Sequence, residues 1–168
     1  MAAHPPFPDV ASGQNLMEMS LDRGDLLRHY RESRAKLLEA IAGLTNEQMS
    51  EATIDGWAVK DHLAHLALWD IMRADEVERI SAGFESAWRM TEHQDEVHNA
   101  TGYELRRSMS AAQAIWELER SRRKLLDAIS AAPPAALDPS RYGAAGLRSQ
   151  PEDQHSGWIA RWRGEKGF

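Results

Sequence analysis

Leu26, Leu27, Tyr30, Leu37, Leu38 and Ile41 recur at helical spacing between Asp22 and Gly43, with Asp22 suited to the N-cap, so the pattern predicts a helix over 22–43. Thr45 followed by Gln48 has the form of a capping box and predicts a short helical turn, and Asp55-Gly56 marks a turn after it. A second long helix is expected over 57–82, closed by Gly83. On a 100° wheel Val59, His62, Leu63, Leu66 and Trp69 share one sector of it, with His65 and Met72 at the edge.

Thr91 with Gln94 starts a further helix over 92–107, although Gly102 disfavours its middle. Ser110 with Gln113 caps the next, over 111–131, which carries the stripe Ile115, Leu118, Leu125, Leu126 and Ile129 and ends at Pro133-Pro134. The stretch 135–151 holds Pro139, Gly143 and Gly146 and reads as a long loop. A last helix over 152–163 carries His155, Trp158, Ile159 and Trp162. The pattern predicts an all-α fold, an antiparallel four-helix bundle with an additional middle helix.

Residues 1–20, with Pro5, Pro6, Pro8 and Gly13 and no periodicity, read as a disordered or leader extension, leaving 21–168 as one helical bundle domain. The length of 168 residues, with 42% hydrophobic and 27% charged positions, suits a single core. A net charge of −6 argues against nucleic acid as a partner. The one basic cluster, Arg120, Arg122, Arg123 and Lys124, is interleaved with Glu117, Glu119 and Asp127 and reads as a solvated helix face. No apolar run approaches the roughly 18 residues of a membrane span. The expectation is therefore a cytoplasmic protein with no membrane partner.

The absence of cysteine rules out thiolate nucleophiles and thiolate metal sites, so any metal has to be held by His, Asp or Glu. Glycine-rich phosphate loops, a G-x-S-x-G elbow and an H-E-x-x-H helix are absent as well. His93 and His98 lie about 140° apart on a helix and do not share a ligand direction.

An internal repeat points to the remaining histidines. Ser33-Arg34-Ala35-Lys36-Leu37-Leu38-Glu39-Ala40-Ile41 recurs as Ser121-Arg122-Arg123-Lys124-Leu125-Leu126-Asp127-Ala128-Ile129, with seven of nine positions identical. Two similar helix pairs would then build the bundle. Leu38 and Leu126 become equivalent core positions, and His65 and His155 fall at nearly matching points of the two second helices. With helix axes about 8–10 Å apart, the two rings are expected to bring their nitrogens within roughly 6 Å of each other.

The segment Gly56-Trp57-Ala58-Val59-Lys60-Asp61-His62-Leu63-Ala64-His65-Leu66-Ala67-Leu68-Trp69 resembles the second-helix signature of the DinB-like superfamily, and in detail the ClbS/DfsB group. The similarity continues through Val97-His98-Asn99-Ala100, the Ser121 helix, and His155-Ser156-Gly157-Trp158-Ile159-Ala160-Arg161-Trp162. The resemblance implies a DinB-like four-helix bundle with one long crossover, frequently a homodimer, acting on a small-molecule substrate. Many members hold a divalent metal with three histidines. They include thiol-dependent transferases and hydrolases, and the ClbS-like branch contains self-protection enzymes that work without metal.

Carried onto this chain, the ligands are His65 and His155, while the third position falls on Pro151, which cannot coordinate. Glu152, one turn before His155, is the replacement for a zinc, nickel or iron site; His62 is the alternative, and Asp153 is less well placed. Three readings of His65 and His155 follow: a metal site, a metal-free pocket with His65 as general base, or hydrogen-bonded core residues. Trp69, Trp158 and Trp162 are either walls of an apolar pocket or core, and Asn99 and Tyr103 either bond a ligand or face solvent. The expected function is a detoxifying or self-resistance enzyme, a hydrolase or thiol-dependent transferase. A non-catalytic binding or sequestering protein on the same bundle is the rival.

Overall fold

The structure is a computed structural model and describes residues 22–53, 56–143, 146–148 and 151–168; the expected extension over 1–20 lies outside them. Among the described residues six helices follow in order: α1 (Arg23–Ile41), α2 (Asn46–Met49), α3 (Val59–Ser81), α4 (Glu92–Arg106), α5 (Ala111–Ala131) and α6 (Pro151–Lys166). The described residues form no strand beyond one isolated bridge between Ala52 and Ala58. Reciprocal capping boxes start α2, α4 and α5 at Thr45, Thr91 and Ser110, and Asp22 caps α1, so side-chain oxygens satisfy the first amides at each of these ends. Within the long connection after α5, two short 3-10 turns (Pro134–Leu137 and Pro139–Arg141) lie where only loop was expected.

Helix α3 is the central element. It buries residues on almost every side, Val59, Leu63, Ala67, Ala74 and Val77 completely, as a helix enclosed by others must. Its largest contact is with α5, and α1 packs chiefly on α6; α4 touches the bundle mainly through α3. The two main pairings exchange when α1 is swapped with α5 and α3 with α6, which is the relation the internal repeat requires.

The repeat alignment holds, but its core position lies one residue before the expected Leu38 and Leu126. Leu38 is 39% exposed and Leu126 half-buried, whereas Leu37 and Leu125 are both fully buried. Consecutive helical positions are about 100° apart, so a Leu-Leu pair can turn only one member fully inward. We expect Leu37→Ala and Leu125→Ala each to cost about 2–5 kcal/mol in urea unfolding, and Leu38→Ala at most about 0.5 kcal/mol. The reverse order would invalidate this facing.

The basic cluster is not one solvated face either. Arg120 and Arg123 are exposed, but Arg122 is buried at the centre of the bundle, at the repeat position equivalent to Arg34, which is also buried.

Candidate functional site: an imidazole cluster between two helices

Two local devices bring three histidines together. At the start of α3, the Asp61 carboxylate accepts a hydrogen bond from the Ala58 amide at 3.0 Å, and the Thr53 amide donates to the Trp57 carbonyl at 2.6 Å. This tight approach fixes the helix start and sets the Trp57 ring beside His62 and His65, at centroid distances of 5.6 and 5.3 Å. Along α6, Glu152 anchors the register one turn before His155. Its carboxylate accepts from Arg34 Nε at 2.6 Å, an Arg122 terminal nitrogen at 2.6 Å and Ser33 Oγ at 2.8 Å.

The same two arginines bind Asp70 of α3, each at 2.9 Å, and Arg122 also donates to the Tyr30 carbonyl. One buried ionic knot therefore joins α1, α3, α5 and α6. Burial by itself pushes the Glu152 carboxyl up, but Arg122 and Arg34 outweigh it and hold the group below the usual carboxylate range. A carboxylate depressed by folding contributes stability above its unfolded value of about 4.3 and loses it as pH falls through the lower folded value. Urea midpoints should thus be insensitive to pH near neutrality, where the Glu152 contribution is fully present, and decline on acidification below about pH 4, with a shallower decline in Glu152→Gln. Equal acid slopes in the two proteins would contradict this role.

The three imidazoles are all buried: His62 is 0%, His155 2% and His65 8% exposed. His65 and His155 lie 5.3 Å apart between ring centroids, so the two helices do converge on one place. The shortest contact is one the spacing argument left as an alternative. His62 Nδ1 and His155 Nδ1 are 2.7 Å apart, with ring centroids at 4.9 Å, and His62 Nε2 lies 3.2 Å from Thr53 Oγ1.

The expected pocket residues divide. Trp158 lies 5.0 Å from His155 and 6.0 Å from His62; Trp69 lies 6.3 Å from His65 and donates from Nε1 to Asn99 Oδ1 at 3.1 Å; Tyr103 stacks on Trp57 at 5.1 Å. Trp162 does not join them. It is buried in the apolar core with Leu37, Leu63 and Ile159, and its ring packs edge-on against Phe168. Trp57, Thr53 and the Arg34–Arg122–Asp70 knot were not singled out from sequence. Arg34 and Arg122 did carry a signal, since they are identical at one position of the repeat.

These donors do not fit the implied metal centre. Glu152, the expected substitute for Pro151, is paired with two guanidinium groups and ties α6 into the bundle. Two nitrogens bound to one tetrahedral ion at about 2.0–2.1 Å lie about 3.3 Å apart. The 2.7 Å between His62 and His155 is instead the length of a hydrogen bond. Among the described residues no group of three His, Asp or Glu side chains is disposed to hold an ion. A surface groove of about 770 Å³ between α1 and α6 is lined by Lys36, Glu39, Asp153 and Arg163 and by none of the three imidazoles.

No helix among the described residues is long and apolar enough to cross a membrane. A search of curated proteins finds no match. Among solved structures, the crystal structure of an uncharacterised protein from Escherichia coli UTI89 superposes with a TM-score of 0.74 over 87% of this chain and 95% of that one, at 13% identity, a likeness of fold. The family model of the DinB superfamily matches residues 29–162, so the match takes in α3, the part of α6 that carries His155, and the ionic knot, and the chain belongs to that superfamily.

Proposed function

We propose that this protein is a small-molecule enzyme of the ClbS/DfsB-like branch, a hydrolase or thiol-dependent transferase serving detoxification or self-resistance, whose histidine cluster works by proton transfer. The observation that carries the reading is the Nδ1–Nδ1 contact of His62 and His155 at 2.7 Å, with His65 beside them. Two lone pairs repel at that distance, so one ring donates an Nδ1–H and the other accepts it. The pair fixes complementary tautomers and holds the His155 ring in place next to His65.

His65, the most exposed of the three, contacts Trp57 and Trp69 and is the group placed to take a proton from water or a thiol. The indoles supply an apolar wall against which a planar or apolar electrophile can lie, and Asn99 holds the Trp69 ring in position. No step in this reading passes through a metal.

The test is a panel of activated esters, epoxides and lactones, offered with and without a thiol, in buffer containing chelator. We expect turnover that persists in chelator and disappears in His65→Ala. Turnover that requires added zinc, or survives the loss of His65, would defeat the proposal. The burial of all three rings also favours a second reading, a sequestering protein that holds its ligand without converting it. Retention of an unchanged small molecule through purification, with no turnover, would favour that reading.

A further inference from the structure

A second cavity bears on how a ligand reaches these buried rings. A groove of about 440 Å³ runs past the C-terminal end of α4, lined by Ser50, Lys60, Asp61, Tyr103, Arg107 and Ser108. Tyr103 belongs both to this groove and to the stack on Trp57, with the two rings 5.1 Å apart and 13° from parallel. The Trp57 ring also contacts His62 and His65, at centroid distances of 5.6 and 5.3 Å. Groove, tyrosine, tryptophan and imidazoles therefore form one continuous sequence from solvent to the cluster.

The helix that carries Tyr103 is the least anchored long helix of the fold. Helix α4 buries only Asn99 and Gly102, and leaves Val97 52% and Leu105 73% exposed. Its other ties are the His98 ring against Trp69 and Trp88, at centroid distances of 5.5 and 5.7 Å, and polar contacts: Asn99 to Trp69, Lys60 Nζ to the Arg107 carbonyl at 2.6 Å, and Arg106 to Glu117 at 3.6 Å. An element with so little buried apolar surface opens at much lower cost than the bundle unfolds.

We propose that the groove is the outer half of the ligand site and that the Trp57–Tyr103 stack is its gate, opened by movement of α4 away from α3. The lining fixes the class of ligand: a planar or apolar reacting end for the indole-walled interior, joined to a polar tail that rests among Lys60, Asp61, Arg107 and the two serines. This rests on the histidine cluster being the reactive centre, and it adds the route and the outer contacts.

The cysteine-free chain makes the gate testable. A Cβ at Gly102 would lie 2.7 Å from Leu68 Cδ2, so Leu68→Cys with Gly102→Cys places two thiols across the α3–α4 seam. Access is read with diethyl pyrocarbonate, which carbethoxylates imidazole, by mass spectrometry of the peptides carrying His62, His65 and His155. The exposed His93 serves as the control.

The oxidised, tethered protein should react at these three histidines about tenfold more slowly than its reduced form, and Tyr103→Ala should react severalfold faster than the parent. Tyr103→Ala stands as a test whether or not the disulfide closes. Unchanged rates in either comparison overturn the gate. Because the reagent needs no substrate, the gate can fail while the proposed chemistry stands, and the chemistry can fail in His65→Ala while the gate stands.

Discussion

Replacement of Arg122 by alanine should destabilise the protein by about 3–5 kcal/mol, the cost of breaking a buried ion pair from one side. Arg122 is 6% exposed and bonds Asp70, Glu152 and the Tyr30 carbonyl. Its removal leaves two buried carboxylates sharing Arg34 and the weaker 3.4 Å contact of Arg73 to Asp70. The loss arises chiefly from the charges left behind. Removing Glu152 together with Arg122, as Arg122→Met with Glu152→Met, should therefore cost less than the two single changes summed. Urea unfolding followed by circular dichroism measures the parent, Arg122→Ala, the two Met single variants and the double variant. A cost below about 1 kcal/mol for Arg122→Ala would mean that the knot does not hold the four helices together.

His65→Ala should lower kcat/KM by about 10² to 10⁴, the usual contribution of a positioned general base, on whichever substrate the panel identifies. The ring lies at the edge of the core-facing sector of α3, so its loss opens a polar gap without uncoupling the helices. Circular dichroism should remain native. Trp162→Phe provides the contrast, because that indole lies in the apolar core and not among the imidazoles. It should leave kcat/KM within a few fold of the parent, a volume change that affects packing and not proton transfer. Equal losses in the two variants would show that the activity follows general stability and not the His65 ring.

Most of the fold was legible because its signals are local. Caps at Asp22, Thr45, Thr91 and Ser110 and the apolar stripes place every helix to within three residues at each end. The Leu37–Leu38 and Leu125–Leu126 pairs were misread because the repeat fixes which residues correspond but not which member of each pair turns inward. That choice depends on the neighbouring helix.

The site was partly legible for a related reason. Helical spacing placed His65 and His155 on facing elements, and their rings do meet. The fate of Glu152 depended on Arg34 and Arg122, residues 118 and 30 positions away in sequence. Periodicity cannot see such partners, and it assigned Arg122 to solvent because its sequence neighbours are charged. Likewise, the α3 wheel sets His62 inside the apolar sector and His65 at its edge, but periodicity does not say which ring meets His155; that follows from the Thr53 hydroxyl beside His62 and from the register that Glu152 imposes on α6.

In the proposed reading a shared proton, and not a metal, organises the imidazole cluster. Long-range nitrogen–proton correlation spectra of histidine side chains at neutral pH, on protein stripped with chelator, distinguish the two. One of His62 and His155 should be the Nδ1–H tautomer and the other the Nε2–H tautomer, and one equivalent of zinc should leave both unchanged. Nε2–H tautomers in both rings, or a stoichiometric zinc-induced shift of His62, His65 and His155 together, would contradict it.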